Sequence, residues 1–191
     1  MLDELLDQIE TEGVLVNADG RLPSVVTTVV GGPVRGSWWS HAKAPNVYAA
    51  LRQLTEHEDV VVTKLVSGKV TFVDRRLWPE LYAAGCERGA WQLGALGRED
   101  HRLLDRVDRE KSCNVDAAAA ARLEHVLLVH ATATHDSQGL PVTRLRTWPQ
   151  WREELELELE EIDAETARAT FDRIVAAQNA DFGGRAKLPW H

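Results

Sequence analysis

Between Arg35 and Lys43 the chain reads Arg-Gly-Ser-Trp-Trp-Ser-His-Ala-Lys, and its chemistry is densest there. Arg35 and Lys43 suit phosphate oxygens, the serine hydroxyls suit hydrogen bonds, and a tryptophan face stacks an unpaired base for about 1–3 kcal/mol. On a strand, adjacent Trp38 and Trp39 would point opposite ways, so one would enter the core while the other stacks. Lys64, Ser67 and Lys69 join this group if the segment carrying them lies beside it. A lysine near a histidine can also attack a sugar aldehyde, as in lyases that cut at abasic sites, provided it holds a free amine. Lys64 beside Lys69 would meet that condition, because each disfavours the other's charge. The expected catalytic groups are therefore Lys64 and His41. Arg35, Trp38, Trp39, Lys43, Ser67 and Lys69 are the expected nucleic-acid contacts. The plainer alternative is that both tryptophans are core or rim residues among scattered surface lysines.

Other chemistries find little footing. His125, His130 and His135 recur every five residues, and on a helix such steps turn each about 140° from the last, so no face holds all three. There is no HExxH, no GxGxxG, no GxxxxGK[ST] and no GxSxG, and Cys86 and Cys113 lack ligand spacing. No metal and no cofactor is expected. Two cysteines in such a chain are compatible with reduced thiols.

The elements that must position these groups follow from periodicity. Leu2, Leu5, Leu6 and Ile9 predict a helix stopped by Gly13, followed by a strand over Val14–Val16. Ser24–Val30, rich in Val and Thr, predicts a second strand. Gly36–Pro45 predicts a loop or short strand, and Asn46–His57 a helix. Val60–Val73 predicts a hairpin turning at Ser67-Gly68, with residues paired when their numbers sum to 135. That register leaves Lys64 and Lys69 as diagonal neighbours on the outer face. Beyond Arg75 the pattern is mainly helical: Trp78–Tyr82, Arg98–Val107, Asp116–Ala133 and Ala164–Ala177, with one short strand at Pro141–Leu145. Thr147 caps a further helix whose Trp148, Trp151, Leu155, Leu159 and Ile162 form a seam suited to a second helix, and hence to a homodimer. The expected class is α+β, with a β-rich, winged-helix-like part over residues 1–78 and a mainly helical part over residues 79–191.

Composition narrows the class further. The chain has 191 residues, 44% hydrophobic and 27% charged, which excludes a disordered, collagen-like or disulfide-scaffold protein. Seven tryptophans against three Phe and two Tyr ask for an explanation. The net charge of −8 is local, since Arg152–Glu165 holds eight carboxylates and one arginine. Val34–Arg76 carries more bases than acids, so the overall acidity does not exclude a nucleic-acid partner. The acidic N-terminus and the absence of a long apolar run predict a cytoplasmic, unanchored protein with no membrane partner.

The block GSWWSHAKAPNVYAALRQLTEHEDVVVTKLVSGKVTFVDRRLW, residues 36–78, resembles one found in short bacterial proteins of unassigned function. Its layout of helix, wing and following helices is similar to the winged-helix DNA glycosylases of the AlkZ type. That resemblance implies a DNA-repair enzyme of glycosylase type, beside the abasic-site lyase that the lysine chemistry suggests. Their Gln-x-Gln or Gln-x-Asp motif has no counterpart, because Gln92 is followed by Leu93-Gly94, so no glycosylase residue is carried over. The leading expectation is a DNA-associated protein using the 35–43 loop and the hairpin. The alternatives are a small-molecule enzyme with a pocket between the halves, and a noncatalytic helical interaction module.

Overall fold

Leu2, Leu5, Leu6 and Ile9 share one side of a helix, and the computed structural model, which describes residues 1–191, forms it as α1 (Leu2–Glu12). Gly13 ends it at φ 75°, a conformation that costs little without a Cβ. Strand β1 (Val14–Val16) follows. Ser24–Val30, expected as a strand, is instead a helix, α2 (Val25–Val30). Two local effects override the β-propensity of its Val and Thr residues. The Ser24 hydroxyl accepts from the Thr27 N–H at 3.2 Å as an N-cap, and Val25, Val26 and Val29 bury one face. Helix α3 (Ala44–Thr55) has Pro45 in its first turn and buries Ala44, Val47, Ala50 and Leu54.

Strands β2 (Val60–Thr63) and β3 (Thr71–Asp74) complete an antiparallel sheet in the order β1-β3-β2. Their turn is centred on Ser67 and Gly68 as expected, both at positive φ (52° and 67°), and the Lys69 N–H donates to the Val66 carbonyl at 2.9 Å. The register differs from the expected one by a residue: Val61 faces Val73 and Val62 faces Phe72. Between the last pair, Thr63 and Thr71, and the turn bond from Lys69 to Val66, one arm holds two residues and the other one, a bulge that slips the ladder by one. Both lysines therefore lie outside the paired strands.

The chain divides into two compact units, residues 1–78 with 168–188 and residues 79–167 with 189–191. In the second, α4 (Trp78–Cys86) begins at Trp78-Pro79 as the sequence predicts, followed by α5 (Ala90–Leu93), α6 (Arg98–Glu110), β4 (Ser112–Val115) and α7 (Ala117–His125). Next come β5 (His130–His135), β6 (Pro141–Arg146) and α8 (Trp148–Glu154). Strands β4, β6 and β5 form an antiparallel sheet in that order, so the part expected to be mainly helical has a sheet of its own. The helix expected over Asp116–Ala133 stops at His125. Leu127 takes φ 56°, its N–H donates to the Glu124 carbonyl, and the Leu128 N–H donates to that of Leu123, the bond pair of a Schellman stop.

Helix α8 starts on its expected cap, with the Gln150 N–H on the Thr147 hydroxyl at 3.1 Å, but it ends at Glu154. The seam expected from Trp148 to Ile162 is therefore not one helical face. Leu155 is 49% exposed. Like charges at Glu154 and Glu158, and at Glu156 and Glu160, would sit four apart on a longer helix and repel. A second Schellman stop closes instead, with the Leu157 N–H on the Arg152 carbonyl, the Glu156 N–H on the Glu153 carbonyl, and Glu156 at φ 51°. Glu156→Gly is expected to stabilise the protein by about 1 kcal/mol, because glycine holds that conformation without a Cβ clash. A lower urea midpoint for the variant would show that the glutamate side chain matters more than its backbone.

The last helix, α9 (Ala164–Phe182), belongs from Arg168 onward to the first unit. There the Gln178 amide, 3% exposed, donates to the carbonyls of Glu12 and Val14, satisfying acceptors at the junction of α1 and β1. The core of the first unit gathers Leu5, Ile9, Leu15, Val47, Leu54 and Phe72. That of the second gathers Leu104, Val107, Leu123, Val129 and Leu145. No helix is long and apolar enough to cross a membrane.

Candidate nucleic-acid interface

The Trp38-Trp39 pair lies neither on a strand nor in an irregular loop. Trp38–Ser40 is a 3-10 turn, with the His41 N–H on the Trp38 carbonyl at 3.0 Å. The two rings consequently stack on one another, centroids 4.0 Å apart and planes at 30°, instead of facing opposite ways. Their division of labour nevertheless matches the expected one: Trp38 is 7% exposed and Trp39 is 59% exposed. Tyr48 of α3 completes the cluster, with ring centroids 4.9 Å from Trp38 and 5.9 Å from Trp39, and is itself half open to solvent. An outward pair of aromatic rings is thus anchored on a buried third.

Around this cluster the cations differ in availability. Arg35 is exposed. Lys43 instead donates from Nζ to the carbonyls of Val29 and Val30 at 3.2 and 3.0 Å, which caps the C-terminus of α2 and favours its dipole. The His41 Nδ1 accepts from the Lys43 N–H at 3.1 Å, so the neutral ring carries its proton on Nε2 and presents a donor there. The outer side of α3 shows Asn46, Ala49, Arg52 and Gln53 in addition to Tyr48. In the sequence, Val47, Ala50, Leu51 and Leu54 mark the apolar stripe of this helix. The residues it leaves over, read at the same period, are the ones that face out.

The remaining expected residues form a second group at the hairpin end. Lys69 pairs with Asp19, whose other oxygen accepts from the N–H groups of Arg21 and Leu22. Burial pushes the Asp19 carboxyl up, but the bonds from Lys69 and from these two amides outweigh it and hold it below its ordinary value. Lys64 lies half-buried in the bulge. The Ser67 hydroxyl accepts from the backbone N–H of Lys187.

Elsewhere, His125 ends α7 while His130 and His135 lie on β5, and no group of three or more His, Cys, Asp or Glu is placed to hold a metal ion. Both cysteines are free, and burial pushes both thiols up, away from the reactive thiolate. The first unit holds twelve Lys/Arg and twelve Asp/Glu, leaving ten bases and eighteen acids in the second, so the whole −8 belongs to the second unit. Comparison with protein families, with curated proteins and with solved structures found no match to this chain.

Proposed function

We propose that residues 1–78 are a winged-helix nucleic-acid-binding unit, with α3 as the recognition helix and residues 64–70 as the wing. The observation that carries this reading is the pairing of element order α1-β1-α2-α3-β2-β3 with sheet order β1-β3-β2. That arrangement sets α3 behind a short helix and ahead of a hairpin, as in a helix-turn-helix with a wing. The exposed side of α3 supports it further. Asn, Gln and Arg are the side chains whose forked donors and acceptors match base edges in the major groove. Trp39 and Tyr48 add two exposed rings that suit an unpaired base. Residues 1–78 hold eight Lys/Arg and ten Asp/Glu, so most of the overall −8 lies elsewhere and local basic patches act without that repulsion. The reading is one of binding and contains no chemical step.

Fluorescence anisotropy with labelled duplex and single-stranded DNA tests it. Wild-type protein is expected to bind with an affinity that falls as salt rises. Arg52→Ala with Gln53→Ala is expected to weaken duplex binding about tenfold, and Trp39→Ala to weaken single-strand binding by a similar factor. Absence of binding to either DNA at low salt, or variants that bind as wild type does, would overturn the proposal.

A further inference from the structure

The hairpin turn does not end in solvent. The Ser67 N–H donates to the Lys187 carbonyl at 2.7 Å, and the Lys187 N–H donates to the Ser67 hydroxyl at 3.0 Å. The segment that crosses the turn is fixed on its far side as well. Asn179 on α9 exchanges two bonds with the Ala186 backbone, at 3.0 and 2.7 Å, Leu188 is 3% exposed, and Arg21 donates to the Gly183 carbonyl at 3.0 Å. Gly184 has no room for a side chain, since a Cβ there would lie 2.5 Å from Leu22. Residues 183–188 are therefore a strap laid across the wing tip and tied down along its whole length.

The strap takes one donor and supplies two cations. A wing tip contacts phosphate with its backbone N–H groups, and here the Ser67 N–H is already engaged. Arg185 and Lys187 point their side chains to solvent, and no ion pair holds either. Arg21, Lys64 and Lys69 are the other bases of this end, and Asp19, paired with Lys69, is the acid set among them. Asp181, on the last turn of α9, acts on Glu12.

We infer that the strap is part of the nucleic-acid contact: Arg185 and Lys187 reach the phosphate backbone of DNA bound by α3, in place of the wing-tip amide that the strap covers. This rests on the winged-helix reading and assigns it a third contacting segment, more than a hundred residues away in the chain. Phosphate contacts of this kind are independent of sequence and appear in the salt dependence of binding.

The test uses full-length protein and a fluorescein-labelled DNA duplex of mixed sequence, titrated at several salt concentrations. Arg185→Ala with Lys187→Ala removes two exposed side chains and leaves the backbone bonds of the strap in place. The slope of log K against log salt is expected to become shallower by about 2, close to 0.9 for each phosphate no longer neutralised. Arg98→Ala with Arg102→Ala removes the same charge from α6 and is expected to leave the slope unchanged. Two results would overturn the inference while leaving the winged-helix reading standing. One is a wild-type slope in the strap variant, or an equal change in the α6 control. The other is tighter binding by the strap variant, which would make the strap a cover over the site. A wild-type protein that binds no duplex at low salt would overturn the winged-helix reading, and the inference with it.

Discussion

Trp148→Ala is expected to cost the second unit about 3–5 kcal/mol, the range for deleting a fully buried large aromatic side chain. The indole is 1% exposed and meets Trp151 edge-on at 5.4 Å and His130 at 5.6 Å. It occupies the space that Gly85 leaves open, since a Cβ on Gly85 would overlap its Nε1. Its N–H donates to the Leu127 carbonyl at 2.6 Å, in the turn where α7 gives way to β5. Truncation would thus open a cavity and orphan a buried acceptor together. Trp148→Phe separates the two, because it keeps most of the volume and is expected to cost about 1–3 kcal/mol for the unsatisfied carbonyl. Amide hydrogen exchange in β5 and β6 measures both effects locally. An alanine variant whose protection there matches wild type would show that the unit does not depend on this ring.

The second large effect is expected on acidification. His130 is buried between Trp148 and Trp151, and its Nδ1 lies 2.9 Å from the Arg146 guanidinium. Burial, reinforced by the Arg146 charge, pushes the imidazole down to about 3. Arg146 cannot turn away, because it also binds Glu154 and the Thr132 hydroxyl. In the unfolded chain the ring titrates at about 6.5, so below that pH the unfolded state takes a proton that the folded state refuses. Stability is therefore fully present above about pH 6.5 and falls by about 1.4 kcal/mol per pH unit, reaching a loss of about 5 kcal/mol at about pH 3. Glu154, held low mainly by its hydrogen bond with Arg146, adds its own loss only below the ordinary carboxylate range. From about pH 6.5 to about pH 5 ordinary carboxylates stay ionised, so the histidine dominates the slope there. His130→Gln is expected to flatten the slope of unfolding free energy against pH there, whatever its own stability. Equal slopes for the two proteins would refute the assignment, as would a His130 Cε1–H resonance that titrates at about pH 6.

What can be read from sequence follows the range over which each signal acts. Helix α1, the Thr147 cap and the Ser67-Gly68 turn depend on residues a few positions apart, and each is legible. The Ser24–Val30 segment misleads because VVTTVV favours a strand by composition, while Ser24 capping and a one-sided burial of Val25, Val26 and Val29 favour a helix. The 148–162 seam has the right period, but the repulsion among its glutamates is felt only when the helix is extended through them. At the hairpin the turn is legible and the ladder is not, since Leu65 and Val66 are both fully buried and the bulge accommodates them. Trp38 and Trp39 stand out with their division between core and solvent, and Tyr48 is recoverable from the period of α3. The partners of Lys69 and Ser67, Asp19 and Lys187, lie 50 and 120 residues away, and no local pattern announces such contacts.

The ends of the helices in the two units are built differently. Gly13 and Gly31 terminate α1 and α2, whereas Arg88, Lys111, Leu127 and Glu156 take positive φ close behind α4, α6, α7 and α8. Each such residue stores about a kilocalorie or more that glycine or asparagine would release. At Lys111 and Glu156, both exposed, the second unit therefore sits below the stability its own backbone permits. Leu127 is fully buried and Arg88 binds Asp108, so their side chains offset the strain. Substitution at Lys111 or Glu156 would harden the unit without touching the aromatic cluster or the strap.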